Sequence, residues 1–196
     1  AAGQEITYEY DPLDNLISWQ DNLGSGENLK YNLDGQLIER VTPQGASTRF
    51  TYDSVGNLIS VIDPLGKVKR FTYTHTGELS QAAEPDGSIS RYTYDSAGRL
   101  STIKHPGGGE SRFTSDPAGN LIGSVNPLGK TSKKTYDQTG RLISQTDAKG
   151  QTTKFVYDDL GRMVEKQLPD KTKVTYQYAP SGNLVQADDG QFPLRF

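Results

Sequence analysis

The stretch Tyr52-Asp53-Ser54-Val55-Gly56-Asn57-Leu58-Ile59-Ser60-Val61-Ile62-Asp63-Pro64-Leu65-Gly66-Lys67-Val68-Lys69-Arg70-Phe71-Thr72-Tyr73 decides the fold. It begins with turn chemistry, because an aspartate side chain can accept hydrogen bonds from its own downstream backbone and Gly56 tolerates positive φ. Leu58–Ile62 is a short apolar run rich in β-branched residues, bounded by turn signals. In Asp63-Pro64-Leu65-Gly66 proline presets φ early in a second turn. Val68–Tyr73 then alternates with the period of two that marks a half-buried strand. Two strands and two tight turns use every residue, and no helix fits.

The same pattern extends in both directions. Tyr10, Tyr31, Tyr52, Tyr73, Tyr94, Tyr136, Tyr157 and Tyr178 are each separated by a multiple of 21 residues, with Ser115 at the remaining member of the series. Four residues after this position stand Gly35, Gly56, Gly77, Gly98, Gly119, Gly140, Gly161 and Gly182, with Asp14 in the first unit. Two further on lies a leucine, including Leu58, Leu100 and Leu142, with Met163 the exception. Counting from Tyr8 gives nine 21-residue units over residues 8–196 as one continuous repeat domain, preceded by a lead-in at residues 1–7. The first unit lacks the turn glycine. The last turn, Asp189-Gly190-Gln191-Phe192-Pro193, is out of phase, as terminal repeats often are.

The fold class expected is all-β, a repeat array of antiparallel hairpins. If the Pro-x-Gly turn closes a hairpin, Leu58 falls opposite Phe71 and Ile59 opposite Arg70. Leucine, aromatic and tyrosine then share the packed face, and Ile59, Arg70 and Thr72 take the other. A slip of one residue would reverse every assignment. Nine such units give about eighteen strands and roughly 85 Å of sheet. A sheet that wide is expected to curve or spiral.

Composition excludes several functions. The chain has 196 residues, no cysteine, 33% hydrophobic residues and a formal net charge of −3. No apolar run reaches a membrane span, no signal peptide is visible, and thiol chemistry is absent. The near-neutral charge argues against a nucleic-acid partner. Aromatics at 9% and a small net charge argue against disorder.

The unit Tyr52–Lys67, with Gly98-Arg99-Leu100, Gly140-Arg141-Leu142 and Gly161-Arg162-Met163, closely resembles the Rhs/YD repeat, and the likeness spans all nine units. The resemblance implies a segment of an Rhs/YD-repeat β-shell. Bacterial Rhs polymorphic toxins and the C subunits of Tc toxins use such shells to enclose a C-terminal toxin domain, and teneurins carry a related one. It further implies a non-enzymatic structural role and a protein secreted or delivered by a bacterial secretion system. The partners implied are an enclosed toxin domain or neighbouring repeats. A glycan- or receptor-binding adhesion module is the alternative.

No catalytic, cofactor or metal site is expected, and no cofactor. The repeated aspartates fit local turn bonding better than a calcium ladder, since the Gly-Gly-x-Gly-x-Asp pattern is missing. His75 and His105 stand alone, and Gly107-Gly108-Gly109 is followed by no Lys-Ser/Thr. Trp19 is expected to pack at a strand position. Arg49, Arg70, Arg91, Arg112, Lys133 and Lys154 occupy one position in six consecutive units. Stacked, they would form a cationic stripe with a step of roughly 10 Å, either a binding stripe for a polyanion or an acidic cargo surface or a solvated strand face whose charges pair with nearby Glu and Asp.

Overall fold

The computed structural model describes residues 5–190 and 193–195. Gln191 and Phe192 of the out-of-phase last turn, and residues 1–4 of the lead-in, lie outside the described residues. The described chain is all-β, with its strands assigned to one antiparallel sheet. It divides into two compact units, Ala1–Tyr92 and Thr93–Phe196. The first contains β1 (Ile6–Tyr10), β2 (Leu16–Asp21), β3 (Gly26–Tyr31), β4 (Leu37–Val41), β5 (Ser47–Tyr52), β6 (Leu58–Ile62), β7 (Val68–Tyr73) and β8 (Leu79–Ala83). The boundary falls inside β9 (Ile89–Tyr94). The second unit holds β10 (Leu100–Lys104), β11 (Glu110–Ser115), β12 (Leu121–Val125), β13 (Thr131–Tyr136) and β14 (Leu142–Thr146). It continues through β15 (Thr152–Tyr157), β16 (Met163–Gln167), β17 (Lys173–Tyr178), β18 (Leu184–Asp188) and the short β19 (Leu194–Arg195). Among the described residues the strands number nineteen against the eighteen expected, because Leu194–Arg195 adds a pairing onto β18. The lead-in is not separate either, since Ile6 and Thr7 pair with Asp21 and Gln20.

Both turns of a unit have the same construction. Gly56 N–H donates to the Asp53 carbonyl at 3.1 Å, and Asp53 N–H donates to the Asn57 carbonyl at 2.9 Å. Gly66 and Asp63 repeat the pattern, with Asp63 N–H closing onto the Lys67 carbonyl. This is the three-residue hairpin loop, a type I turn followed by a left-handed residue. That left-handed position explains the periodic glycine: φ is +95° at Gly56 and +77° at Gly66. Asp14 and Lys171 adopt it without glycine, at 62° and 71°.

The register differs by one residue from the sequence expectation. Ser60, not Ile59, pairs with Arg70, and Val61 pairs with Lys69. By continuation Leu58 sits level with Thr72 and not with Phe71. On the other side of the strand, however, Thr51 pairs with Ser60 and Tyr52 with Leu58, so Ile59 is an extra, bulged residue. In the next unit the bulged residue is Ser80, whose hydroxyl lies 3.0 Å from Thr72, and Ser101, 21 residues further on, lies 3.3 Å from Thr93. The bulged residue therefore points to the threonine side. Leu58 stays with Tyr52, Val61, Phe71 and Tyr73 on a ring face, and Ile59 joins Arg70 and Thr72 on a cation face. The expected faces hold although the expected register does not, because the bulge supplies the compensating residue.

Neither face builds a conventional core. Ala82, 6% exposed, is the one buried hydrophobic side chain among the described residues. The accessible surface is 13481 Å², against about 9,200 Å² for a compact monomer of this mass. The hairpins must therefore be held mainly by their neighbours in the ladder and by their turns.

The left-handed turn positions give two opposite expectations. Gly66→Ala meets open space but keeps positive φ, so it should destabilise by about 1 kcal/mol. Lys171→Gly should stabilise, by less than about 1 kcal/mol. Urea midpoints measured side by side should move in opposite directions.

Candidate functional site

Two arrangements recur along the array. The first is a clasp on the rim that carries the Tyr-Asp-x-x-Gly turns. Where the position is aspartate it organises its own turn: Asp53 Oδ1 accepts from the N–H groups of Val55 (3.0 Å) and Asn57 (2.8 Å), and Oδ2 accepts from the Asn57 amide (3.0 Å). The Asn57 side chain is the main cause that lowers the Asp53 carboxyl below the usual aspartate range. At Asp95, Asp137 and Asp158 the leading cause is instead the backbone N–H of the residue four ahead, Arg99, Arg141 and Arg162. The repeated aspartates are thus engaged locally. No cluster of potential metal ligands occurs among the described residues.

The tyrosine ties one unit to the one before it. Tyr31, Tyr52, Tyr73, Tyr136, Tyr157 and Tyr178 donate their hydroxyls to the carbonyls of Leu16, Leu37, Leu58, Leu121, Leu142 and Met163, at 2.8–3.1 Å. The backbone of each of these tyrosines pairs with the following leucine position, as Tyr52 does with Leu58. One side chain therefore fixes three successive strands. Burial is the main cause that raises the Tyr73 phenol above its ordinary value.

Arginine closes the clasp in the second unit. Arg141 Nε donates to Asp137 at 2.6 Å, Nη1 reaches the Asp158 carbonyl of the next repeat at 3.3 Å, and the guanidinium lies 5.2 Å from the Tyr157 ring centroid. Arg162 repeats this with Asp158, Ala179 and Tyr178. Arg99 holds Asp95 at 2.7 Å and also reaches the Asp116 carbonyl. In the first unit Gln36 does the same with a neutral amide, reaching the Gly56 carbonyl at 3.2 Å. These contacts were not anticipated from the sequence. Their signal was present as arginine four residues after the turn aspartate and next to the leucine.

The second arrangement lies on the cation face. Arg49, Arg70, Arg91, Arg112, Lys133 and Lys154 are all exposed and point to that side. Within each unit of the fold the row is oblique. Arg49 pairs with Ile62 whereas Arg70 pairs with Ser60 on the same strand, a stagger of two residues per repeat. Two strand spacings combined with that stagger make the step about 12 Å, longer than the roughly 10 Å of a perpendicular row. Glu39, on β4, sits between two cations: it accepts from Lys30 at 2.8 Å, from Ser47 at 2.7 Å and from Arg49 at 3.3 Å. These hydrogen bonds, Lys30 foremost, lower its carboxyl to about 2.

The other residues singled out from the sequence have local roles. His105 hydrogen-bonds Ser111 at 2.9 Å, His75 lies in a turn, and Trp19 is half-buried opposite Tyr8. Gly107–Gly109 form one of the repeated turns, closed by Gly108 N–H onto the His105 carbonyl at 3.0 Å.

The family model described as RHS Repeat matches residues 31–68, 52–89, 73–110, 116–152 and 136–173. No curated protein matches the chain. Among solved structures, the Photorhabdus luminescens Tc holotoxin pore with the TccC3 mutation D651A is similar at a TM-score of 0.57 and 16% identity, covering 94% of this chain and 12% of that one. TcdB2-TccC3-Cdc42 is similar at 0.59 and 17%, with coverages of 94% and 12%. TcdB2-TccC3 without its hypervariable C-terminal region is similar at 0.58 and 17%, with the same coverages. At these identities the likeness is one of fold. The chain spans about an eighth of the length of these structures.

Two expectations follow from the geometry. Tyr157→Phe keeps the ring and removes the hydroxyl donated to Leu142, so it should cost about 1 kcal/mol and broaden the unfolding transition by weakening one junction. Carbon-detected titration of Glu39 should give a midpoint near 2. Because this carboxyl is depressed in the fold, its contribution is full above the ordinary glutamate range, about pH 4.5, and fades as the pH falls towards 2. Glu39→Gln should remove that part of the acid dependence.

Proposed function

The chain belongs to the RHS repeat family, and from that premise we propose that it is a non-enzymatic wall segment of a shell enclosing a toxin domain that lies C-terminal to the repeats in the intact polypeptide. Residues 8–196 serve as one continuous run of that wall. The observation that carries the reading is the single-layered sheet with Ala82 as its one buried hydrophobic among the described residues. Such a sheet is a partition. Both faces are broad, regular and partly apolar, and turns at both rims leave side chains such as Leu33 and Leu65 99% and 80% exposed for neighbours to cover. The fold shared with Tc toxin assemblies supports the reading, and one of those is named for the hypervariable C-terminal region it lacks. The proposed setting is a bacterial toxin that is secreted or delivered by a secretion system.

The family fold is structural, and the clasp and turn residues are committed to holding strands. A glycan-binding adhesion module would present a row of exposed rings, whereas the exposed rings among the described residues are Tyr8 and Tyr10.

The test is limited proteolysis of the intact polypeptide that carries these repeats. A non-repeat segment should survive while the repeats are folded, and become cleavable when junctions are weakened by Tyr52→Phe, Tyr73→Phe and Tyr157→Phe together. Cleavage of that segment at the same rate in both proteins would defeat enclosure.

A further inference from the structure

The cation face supplies its own carboxylate at Glu39, Glu110 and Glu165 and omits it at other positions equivalent to Glu39. Glu39 sits on β4 between Lys30 and Arg49. Its 21-residue equivalents opposite the later cations are Ser60 for Arg70, Gln81 for Arg91, Gly123 for Lys133 and Ser144 for Lys154. None of these offers a carboxylate. Among the described residues Arg70, Arg91, Lys133 and Lys154 form no ion pair, whereas Arg49 and Arg112 pair with Glu39 and Glu110. The sheet thus demonstrates the geometry of a carboxylate held between strands, and leaves four cations of the same row without one.

The surroundings of Arg70 and Arg91 are apolar, whereas Thr146 pairs with Thr152 between Lys133 and Lys154. Ile62 pairs with Val68 and Ala83 with Ile89, placing aliphatic pairs between successive arginines. A hollow of 510 Å³ is lined by Gly66, Val68, Arg70 and Pro85, with Lys67 and Asp86 at its wall. A hollow of 260 Å³ lies 21 residues earlier, lined by Gly45, Ser47, Arg49 and Pro64 among others. In the second unit Lys133 lines a hollow of 330 Å³ with Ile122, Gly123 and Val125. In the first unit charge and aliphatic surface therefore alternate along the row.

We propose that the cation face of the first unit binds an extended polypeptide segment in which acidic and aliphatic residues alternate on one side, its carboxylates taking, beside Arg70 and Arg91, the place that Glu39 takes beside Arg49. The spacing selects this partner. In an extended chain every second residue faces the same way, and every fourth recurs after about 13 Å, close to the row's step of about 12 Å. The residue midway between the acids beside Arg70 and Arg91 then falls on the Ala83–Ile89 pair. One isolated cation per step is sparse for a nucleic-acid backbone, with its charge every 3.4 Å per strand. The inference concerns the surface itself and stands whether or not the repeats form a shell.

The experiment is fluorescence anisotropy on the full chain with a labelled synthetic peptide, glutamate at every fourth position and valine midway between. A peptide of the same composition with clustered glutamates serves as comparison. The regular peptide should bind more tightly, with an affinity that falls as salt rises. Ser60→Glu with Gln81→Glu installs internal carboxylates without removing a cation. This variant should keep its circular dichroism spectrum and lose about tenfold or more in affinity. Arg70→Glu with Arg91→Glu should lose the glutamate peptide and gain a lysine counterpart of the same design. Equal binding of the clustered peptide, or unchanged affinity in the installed-glutamate variant, would overturn the proposal. Retention of heparin with no binding of the peptide would overturn it too, reassigning the face to sulfated glycans.

Discussion

Everything in this molecule depends on a hydrogen bond from a tyrosine hydroxyl to the leucine carbonyl of the preceding repeat. A sheet one layer thick cannot be held together by burial, and here one hydrophobic side chain among the described residues is buried. What fixes one hairpin against the next is the ladder and the tyrosine that spans it, repeated at Tyr31, Tyr52, Tyr73, Tyr136, Tyr157 and Tyr178. Each turn aspartate then locks its own loop, and Arg99, Arg141 or Arg162 extends that lock to the next loop. Stability in such a design is a sum of nearest-neighbour terms. A wall can therefore lengthen by adding units without needing a larger core.

The faces follow from the same device. With the tyrosine and leucine committed to one side and a bulged residue restoring the alternation, the opposite side is free to vary. It carries arginine, threonine and aliphatic side chains in a pattern that repeats every 21 residues. A sheet built this way keeps its structural work on the ring face and rim, so variation on the cation face leaves the clasp intact.

The turns were legible in the sequence because their chemistry is local. Asp53 and Gly56 act on atoms within four residues of each other, so the residue types alone specify the loop. The faces were legible because leucine and the aromatics recur with the period of the array. The register was not. A bulge is a relation between strands, and Ile59, Ser80 and Ile122 share no side chain that announces it. The row of Arg49, Arg70 and Arg91 could be placed from position alone, but its obliqueness needed the pairing of Ser60 with Arg70. Glu39 was not legible because a carboxylate two residues after the repeat leucine Leu37 carries no meaning until Lys30 and Arg49 are seen to flank it.

The central claim is that neighbouring repeats, and not a core, hold the chain together. It is tested most directly by measuring urea unfolding for a series of chains shortened from the C-terminus one 21-residue unit at a time. The midpoint and the steepness of the transition should fall progressively with each unit removed, by similar amounts for internal units. A midpoint that stays constant until one particular unit is removed, and then collapses, would contradict the account by revealing a local core that dominates the fold.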